Sequence, residues 1–164
     1  AVVASHLAWT ASFHALKTRR HAPPADSVRT YAPRHDPRGL LLDAFLAEAR
    51  RLLPPGASVL ALPEGSAVNF LLGARNPSPF LLFLPEDLLL FGGEAAAVAR
   101  LELAPPDFVV LLSRETREFG VGPFGSPGYG EALLAWVRSR YREEGRVGDD
   151  PLGAGFGLSL WKRR

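Results

Sequence analysis

The chain has 164 residues, of which 47% are hydrophobic and 22% charged, and its formal net charge is +2. This is the composition of one globular domain, able to bury about 70% of the surface its unfolded chain exposes, and not that of a disordered chain. So small a charge gives no ground for nucleic-acid binding, and the absence of cysteine rules out a disulfide framework or a thiolate metal site.

Ala1 to Leu16, AVVASHLAWTASFHAL, contains no Asp, Glu, Lys or Arg and stops at the basic residues Lys17, Arg19, Arg20 and His21. A membrane span needs about 20 apolar residues. The segment therefore reads either as the last part of a span or as an amphipathic helix or strand packed on the domain. No basic region precedes its apolar part, which argues against a signal peptide. Basic residues recur at Lys162, Arg163 and Arg164. Solvated flanks are the plainer reading of both clusters, and an anionic lipid surface is the sharper one. His21 to Pro37, rich in proline and short polar residues, reads as an extended connector. Residues 1–36 are thus expected as an apolar segment with its connector, and residues 37–164 as the domain.

Asp36-Pro37 supplies a helix cap and a first-turn proline. The helix that follows carries Leu41, Leu42, Phe45, Leu46, Ala49, Leu52 and Leu53 at helical spacing, and Pro54-Pro55-Gly56 ends it. Ser58 to Leu62 is a short apolar run between turns, hence a buried strand, and Ser66 to Leu72 is a short helix closed by Gly73. Phe80 to Leu84 is a second strand candidate, Glu94 to Leu101 a helix, and Asp107 to Leu112 the clearest strand. Ser113 to Gly128 forms a long loop, Glu131 to Tyr141 an amphipathic helix, and Phe156 to Leu160 a final strand. Strands alternating with helices predict an α/β domain: a mainly parallel sheet with helices on its faces, in three layers.

The letters of a dinucleotide fingerprint occur at Gly120-Val121-Gly122-Pro123-Phe124-Gly125, but Ser113 to Phe119 separate them from the preceding strand, so the match reads as coincidence in a glycine-rich loop. Phe124-Gly125-Ser126-Pro127-Gly128 lacks the first glycine of a nucleophile elbow. Ser66 has no histidine tied to it by spacing, and no histidine pair has zinc-helix spacing. No metal or cofactor is expected. The carboxylates are more informative. Glu64 lies just past one strand, and Glu115 and Glu118 lie just past another. Were those strands adjacent and parallel, Glu64 and Glu118 would share the edge where open sheets bind ligands. Paired carboxylates there perform acid–base work or bind sugar hydroxyls. The plainer alternative is helix capping and pairing with Arg75, Arg114 or Arg117. Asn69 and Asn76 would add polar groups at that edge, or else cap and turn.

Pro63-Glu64-Gly65, Asn69-Phe70-Leu71, Gly73, Asn76-Pro77, Glu118-Phe119-Gly120, Phe124-Gly125 and Tyr129-Gly130 are followed by a helix bearing Trp136 and Tyr141. With Arg38-Gly39, this order resembles the water-exposed C-terminal domain of polytopic bacterial membrane glycosyltransferases related to the dolichyl-phosphate-mannose–protein mannosyltransferases. The resemblance covers roughly Tyr31 to Leu160. It implies an accessory domain on the extracytoplasmic, periplasmic side, whose partner is a preceding transmembrane domain and whose ligand is a polyprenyl-phosphate-sugar donor or a glycan acceptor. The family's catalytic aspartate belongs to an early loop outside this segment, so no catalytic residue carries over. Glu64, Asn69, Asn76, Glu118 and Tyr129 are the matching polar positions and the candidate ligand contacts. The Lys17–Arg20 cluster pulls the other way, because the positive-inside rule assigns such clusters to the cytoplasmic side. A stand-alone sugar- or small-molecule-binding α/β domain is the alternative. A small hydrolase using Ser66 or Glu118 comes third, lacking a base and an oxyanion loop.

Overall fold

The computed structural model describes residues 2–21 and 28–164. Helix α1 (Val2–Leu16) leads to a two-stranded antiparallel ribbon of β1 (Arg19–His21) and β2 (Val28–Thr30). Helix α2 (Arg38–Leu52), strand β3 (Val59–Leu62) and helices α3 (Ser66–Leu72), α4 (Pro85–Leu90) and α5 (Glu94–Leu103) follow. Strand β4 (Phe108–Leu112), helix α6 (Glu131–Arg140) and strands β5 (Tyr141–Gly148) and β6 (Gly157–Arg163) complete the chain.

The main sheet has four strands in the order β3-β4-β6-β5. Its alternation gives it two apolar faces. Leu60, Leu62, Val109 and Leu111 pack with Ala97 and Leu101 of α5 and with Leu133, Trp136 and Val137 of α6. Val59, Ala61, Phe108, Val110, Leu158 and Leu160 face the other way, against Phe45 and Ala49 of α2 and Val68 of α3. Helix α2 buries the side its heptad-like spacing marks, with Phe45, Leu46 and Ala49 almost inaccessible. Its start is displaced by one residue from the expected pattern. Pro37 is the capping position, and the Asp36 carboxylate accepts the Arg38 backbone N–H at 3.0 Å.

The domain is α/β, as expected, but its sheet is mixed rather than mainly parallel. Only β3 and β4 run parallel, whereas β4–β6 and β6–β5 are antiparallel. A parallel pair needs a long crossover, and α3 to α5 provide one between β3 and β4; β5 and β6 are joined by a short loop, which dictates a hairpin. The expected strand at Phe80–Leu84 is irregular chain joined to the end of β3 by an isolated Glu64–Leu82 bridge. Its apolar character serves packing instead. Phe83 is completely buried, and Phe80 stacks on Phe91 at a ring separation of 3.7 Å. Conversely, the charged stretch Tyr141–Gly148, not expected as a strand beyond the helix end, is the edge strand β5, irregular between Glu143 and Gly145.

The parallel pair is pinned at its start by a side chain. Asp107 Oδ2 accepts the Ser58 N–H at 3.0 Å and the Ser58 hydroxyl at 2.8 Å, and Arg163 reaches Oδ1 at 3.0 Å. These bonds, those from Ser58 first, hold the Asp107 carboxyl below its usual pKa. A folded carboxyl that titrates below the unfolded one stabilises the fold fully above the unfolded value of about 3.9, and this contribution is lost as pH falls through the folded value. Asp107→Ala is therefore expected to lower the denaturation midpoint at neutral pH and to flatten its fall on acidification, measured by urea unfolding at neutral pH and near pH 3.

Candidate functional site

A cleft of about 540 Å³ opens at the carboxyl ends of β3 and β4, and four parts of the chain build it. The turn after β3 supplies Glu64 and Gly65; β4 and its exit supply Leu112 and Arg114. The start of β6 brings Phe156 and Leu158, and the N-terminal ribbon and α2 bring Lys17, Arg29 and Arg38. Gly65 is required by close approach. A β-carbon there would stand 2.6 Å from the Ala61 β-carbon and 2.7 Å from Leu112 Cδ2. A second cavity of about 550 Å³ adjoins the first, between Ser113–Arg117 and Gly153–Phe156, and shares Arg38, Arg114 and Phe156 with it.

Arg114 organises the mouth. Its Nε donates to Glu64 Oε2 at 2.8 Å and its Nη2 to Glu118 Oε1 at 2.5 Å, while Nη1 donates to the Glu115 carbonyl. The bond to Glu64 is the largest cause raising the Arg114 pKa. The two carboxylates that follow β3 and β4 thus meet, as expected from adjacent parallel strands, but through an arginine shared between them rather than as a free acid–base pair. Glu115 turns away to Arg117, which draws its pKa down to about 2. Arg38 is held by Asp36, whose carboxylate takes hydrogen bonds from Nε and Nη2, and its guanidinium lies 5.8 Å from the Phe156 ring centre.

The other expected contacts lie elsewhere. Asn69 is buried and donates from Nδ2 to the Val59 carbonyl at 2.7 Å, fastening α3 to β3. Asn76 accepts the Ser78 N–H at 2.9 Å and donates to the Phe80 carbonyl at 3.1 Å, an Asx turn. Tyr129 is 1% exposed, donates its hydroxyl to the Phe83 carbonyl at 3.1 Å, and has its pKa raised by burial. Of the five candidates, Glu64 lines the cleft, Glu118 reaches it through Arg114, and Asn69, Asn76 and Tyr129 brace the scaffold around it.

Sequence reasoning did not identify the cationic wall, because it treated residues 1–36 as a segment and connector outside the domain. Residues 22–27 of that connector lie outside the described residues. The rest is fastened down. His21, 1% exposed, approaches Asp43 Oδ1 through Nδ1 at 2.5 Å and Thr30 Oγ1 through Nε2 at 2.7 Å. Arg19 pairs with the same Asp43 from β1, its Nε at 2.8 Å. Burial pushes the Asp43 carboxyl up, and the hydrogen bonds from His21 and Arg19 more than offset it, leaving the pKa lowered. Both ring nitrogens of His21 thus face an oxygen partner, and the Thr30 hydroxyl is satisfied with them. The Arg38-Gly39 pair and the basic cluster at Lys17 were the available signals. His21→Ala is expected to cost about 1–3 kcal/mol by orphaning the Thr30 hydroxyl and loosening the ribbon. Urea denaturation measures the loss, and faster tryptic cleavage after Arg19 and Arg20 reports where it occurs.

No family model, curated protein or solved structure matches this chain.

Proposed function

We propose that this chain is a non-catalytic accessory domain of a membrane glycosyltransferase that uses lipid-linked sugar donors, and that the cleft at the β3 and β4 ends is where it contacts the donor head or the glycan acceptor. One observation carries the reading. Glu64 and Glu118 belong to two separate motifs of the family the sequence resembles, and both bind the same arginine at the mouth of one cleft. On this reading the domain is a three-layer arrangement whose helices cover both sheet faces and leave the strand ends open. Carboxylates fixed by a guanidinium retain free lone pairs, which suits them to sugar hydroxyls. Helix α1 has no buried residue and supports membrane association, with the remainder of the domain on the extracytoplasmic side. Its 15 residues span about 22 Å, and among the described residues no helix is long and apolar enough to cross a membrane. The preceding transmembrane domain is the expected partner.

Titration of the chain with mono- and oligosaccharides and their phosphates, followed by calorimetry, tests the cleft. Glu64→Ala is expected to weaken binding about tenfold or more, the value of a charge-assisted hydrogen bond, and an unchanged affinity would remove Glu64 from the site. The reading frame upstream of Ala1 tests the membrane assignment, which requires several hydrophobic spans there. A frame without them leaves the alternative, a stand-alone sugar- or small-molecule-binding domain.

A further inference from the structure

We infer that the cleft is a seat for the phosphate of an anionic lipid head group, offered to it by the bilayer in which α1 lies; the inference rests on the membrane association proposed above and names the partner of that same site. Three observations converge on it. The first is the surface of α1. Val2, Val3, Leu7 and Trp9 are each more than 60% exposed, no residue of the helix is buried, and Ala1–Leu16 holds no Asp, Glu, Lys or Arg. A helix without charged residues that exposes this much apolar surface gains from burial in protein or in hydrocarbon, and among the described residues none covers it.

The second observation is where that helix ends. Lys17, the next residue, lines the cleft. The Leu16 carbonyl accepts the Ala32 N–H at 3.1 Å, and the Lys17 ammonium lies 5.4 Å from the centre of the Tyr31 ring, so the helix end is joined to the strand exit that forms the cleft wall. A helix end placed at the hydrocarbon boundary therefore brings the cleft mouth to head-group depth.

The third is charge. The cleft is lined by Lys17, Arg29, Arg38 and Arg114 against Asp36 and Glu64, and Glu118 on Arg114 leaves an excess of one positive charge. Arg114 is committed to its two glutamates. Among the described residues Lys17 and Arg29 pair with no carboxylate, and the bonds from Arg38 to Asp36 use Nε and Nη2, leaving Nη1 for a ligand. Guanidinium forks match phosphate oxygens, and cations beside the membrane plane draw anionic lipid toward them.

Flotation with vesicles tests this with two separate readouts. Binding to phosphatidylcholine vesicles reports insertion of α1; the gain in binding when phosphatidylglycerol is added reports the cleft. The paired substitution Lys17→Gln with Arg29→Gln is expected to cut the phosphatidylglycerol gain about 30-fold while leaving phosphatidylcholine binding in place. The paired substitution Arg138→Gln with Arg142→Gln removes the same charge from α6 and β5 and is expected to change that gain less than threefold. Equal losses in the two variants would overturn the seat, since surface charge alone would explain them. So would competition by free glycerol 3-phosphate at an affinity equal to that for the vesicles, which would make the source soluble. Absent phosphatidylcholine binding with the gain intact and cleft-dependent would keep the seat and overturn insertion of α1, and no binding to either vesicle would overturn both.

Discussion

Phe83→Ala is expected to destabilise the domain by about 3–5 kcal/mol, the range for losing a buried aromatic ring. Phe83 sits in irregular chain, where a substitution would ordinarily be tolerated, yet it is completely buried. It belongs to the apolar cluster on the α5–α6 side of the sheet, with Phe80 and Phe91 edge-on to it at ring separations of 6.0 and 6.3 Å. Its carbonyl takes the Tyr129 hydroxyl, and its N–H donates to the Pro63 carbonyl at 2.8 Å. The ring thus anchors the long connection between α3 and α4 beside the turn that carries Glu64. Urea denaturation should show the loss as a shifted midpoint with little change in slope. Leu81→Ala, two residues away and 61% exposed, should stay within about 0.5 kcal/mol of the parent. Equal effects at the two positions would mean that this segment is not an anchor.

Gly157→Ala is expected to cost about 3 kcal/mol, at the top of the usual range for overpacking. A β-carbon at this position would overlap the backbone carbonyl of Asp149 on the facing strand end, and backbone cannot swing aside as a side chain can. The same residue ties β6 to the exit of β4. Its N–H donates to Ser113 Oγ at 3.0 Å, and its carbonyl accepts the Ser113 N–H at 3.0 Å. It also separates Phe156 and Leu158 on the cleft wall. The substitution is therefore expected to lower stability and ligand affinity together. Gly145→Ala, with open space around the new methyl, should do neither.

The elements legible in the sequence are those whose burial follows a simple period. Leu42, Phe45, Ala49 and Leu52 on α2 and the apolar runs of β3 and β4 state their own geometry. Strand β5 does not, because it lies at the sheet edge and carries Arg142, Glu143, Glu144 and Arg146, a pattern equally suited to an exposed helix end. Phe80–Leu84 fails in the opposite sense. Aromatic density signals burial, but burial there is met by ring stacking, and no ladder is needed. In the site, Glu64 and Glu118 were legible because the ends of adjacent parallel strands share an edge. Lys17, Arg29 and Arg38 were not, since their place depends on a ribbon fastened by His21 and Asp43, residues 22 positions apart with no periodic relation. The roles of Asn69 and Tyr129 were hidden for a related reason. A polar group in a motif looks like a ligand contact until its partner is known, and each has a backbone carbonyl as partner.

The charged edge strand also governs how copies of the molecule meet. Along β5, Arg142 pairs with Glu144 and Arg146 with Glu143, so a second chain seeking to add a strand there would have to strip ion pairs from water and override the irregularity at Glu143–Gly145. At the opposite edge the Val59 N–H is already donated to the Arg75 carbonyl at 2.9 Å, and the Val59 carbonyl is taken by Asn69. With one border guarded by charge and the other stitched to its own loop, the sheet offers little template for fibre growth or strand exchange. A domain held at high local density on a membrane surface would gain most from that protection.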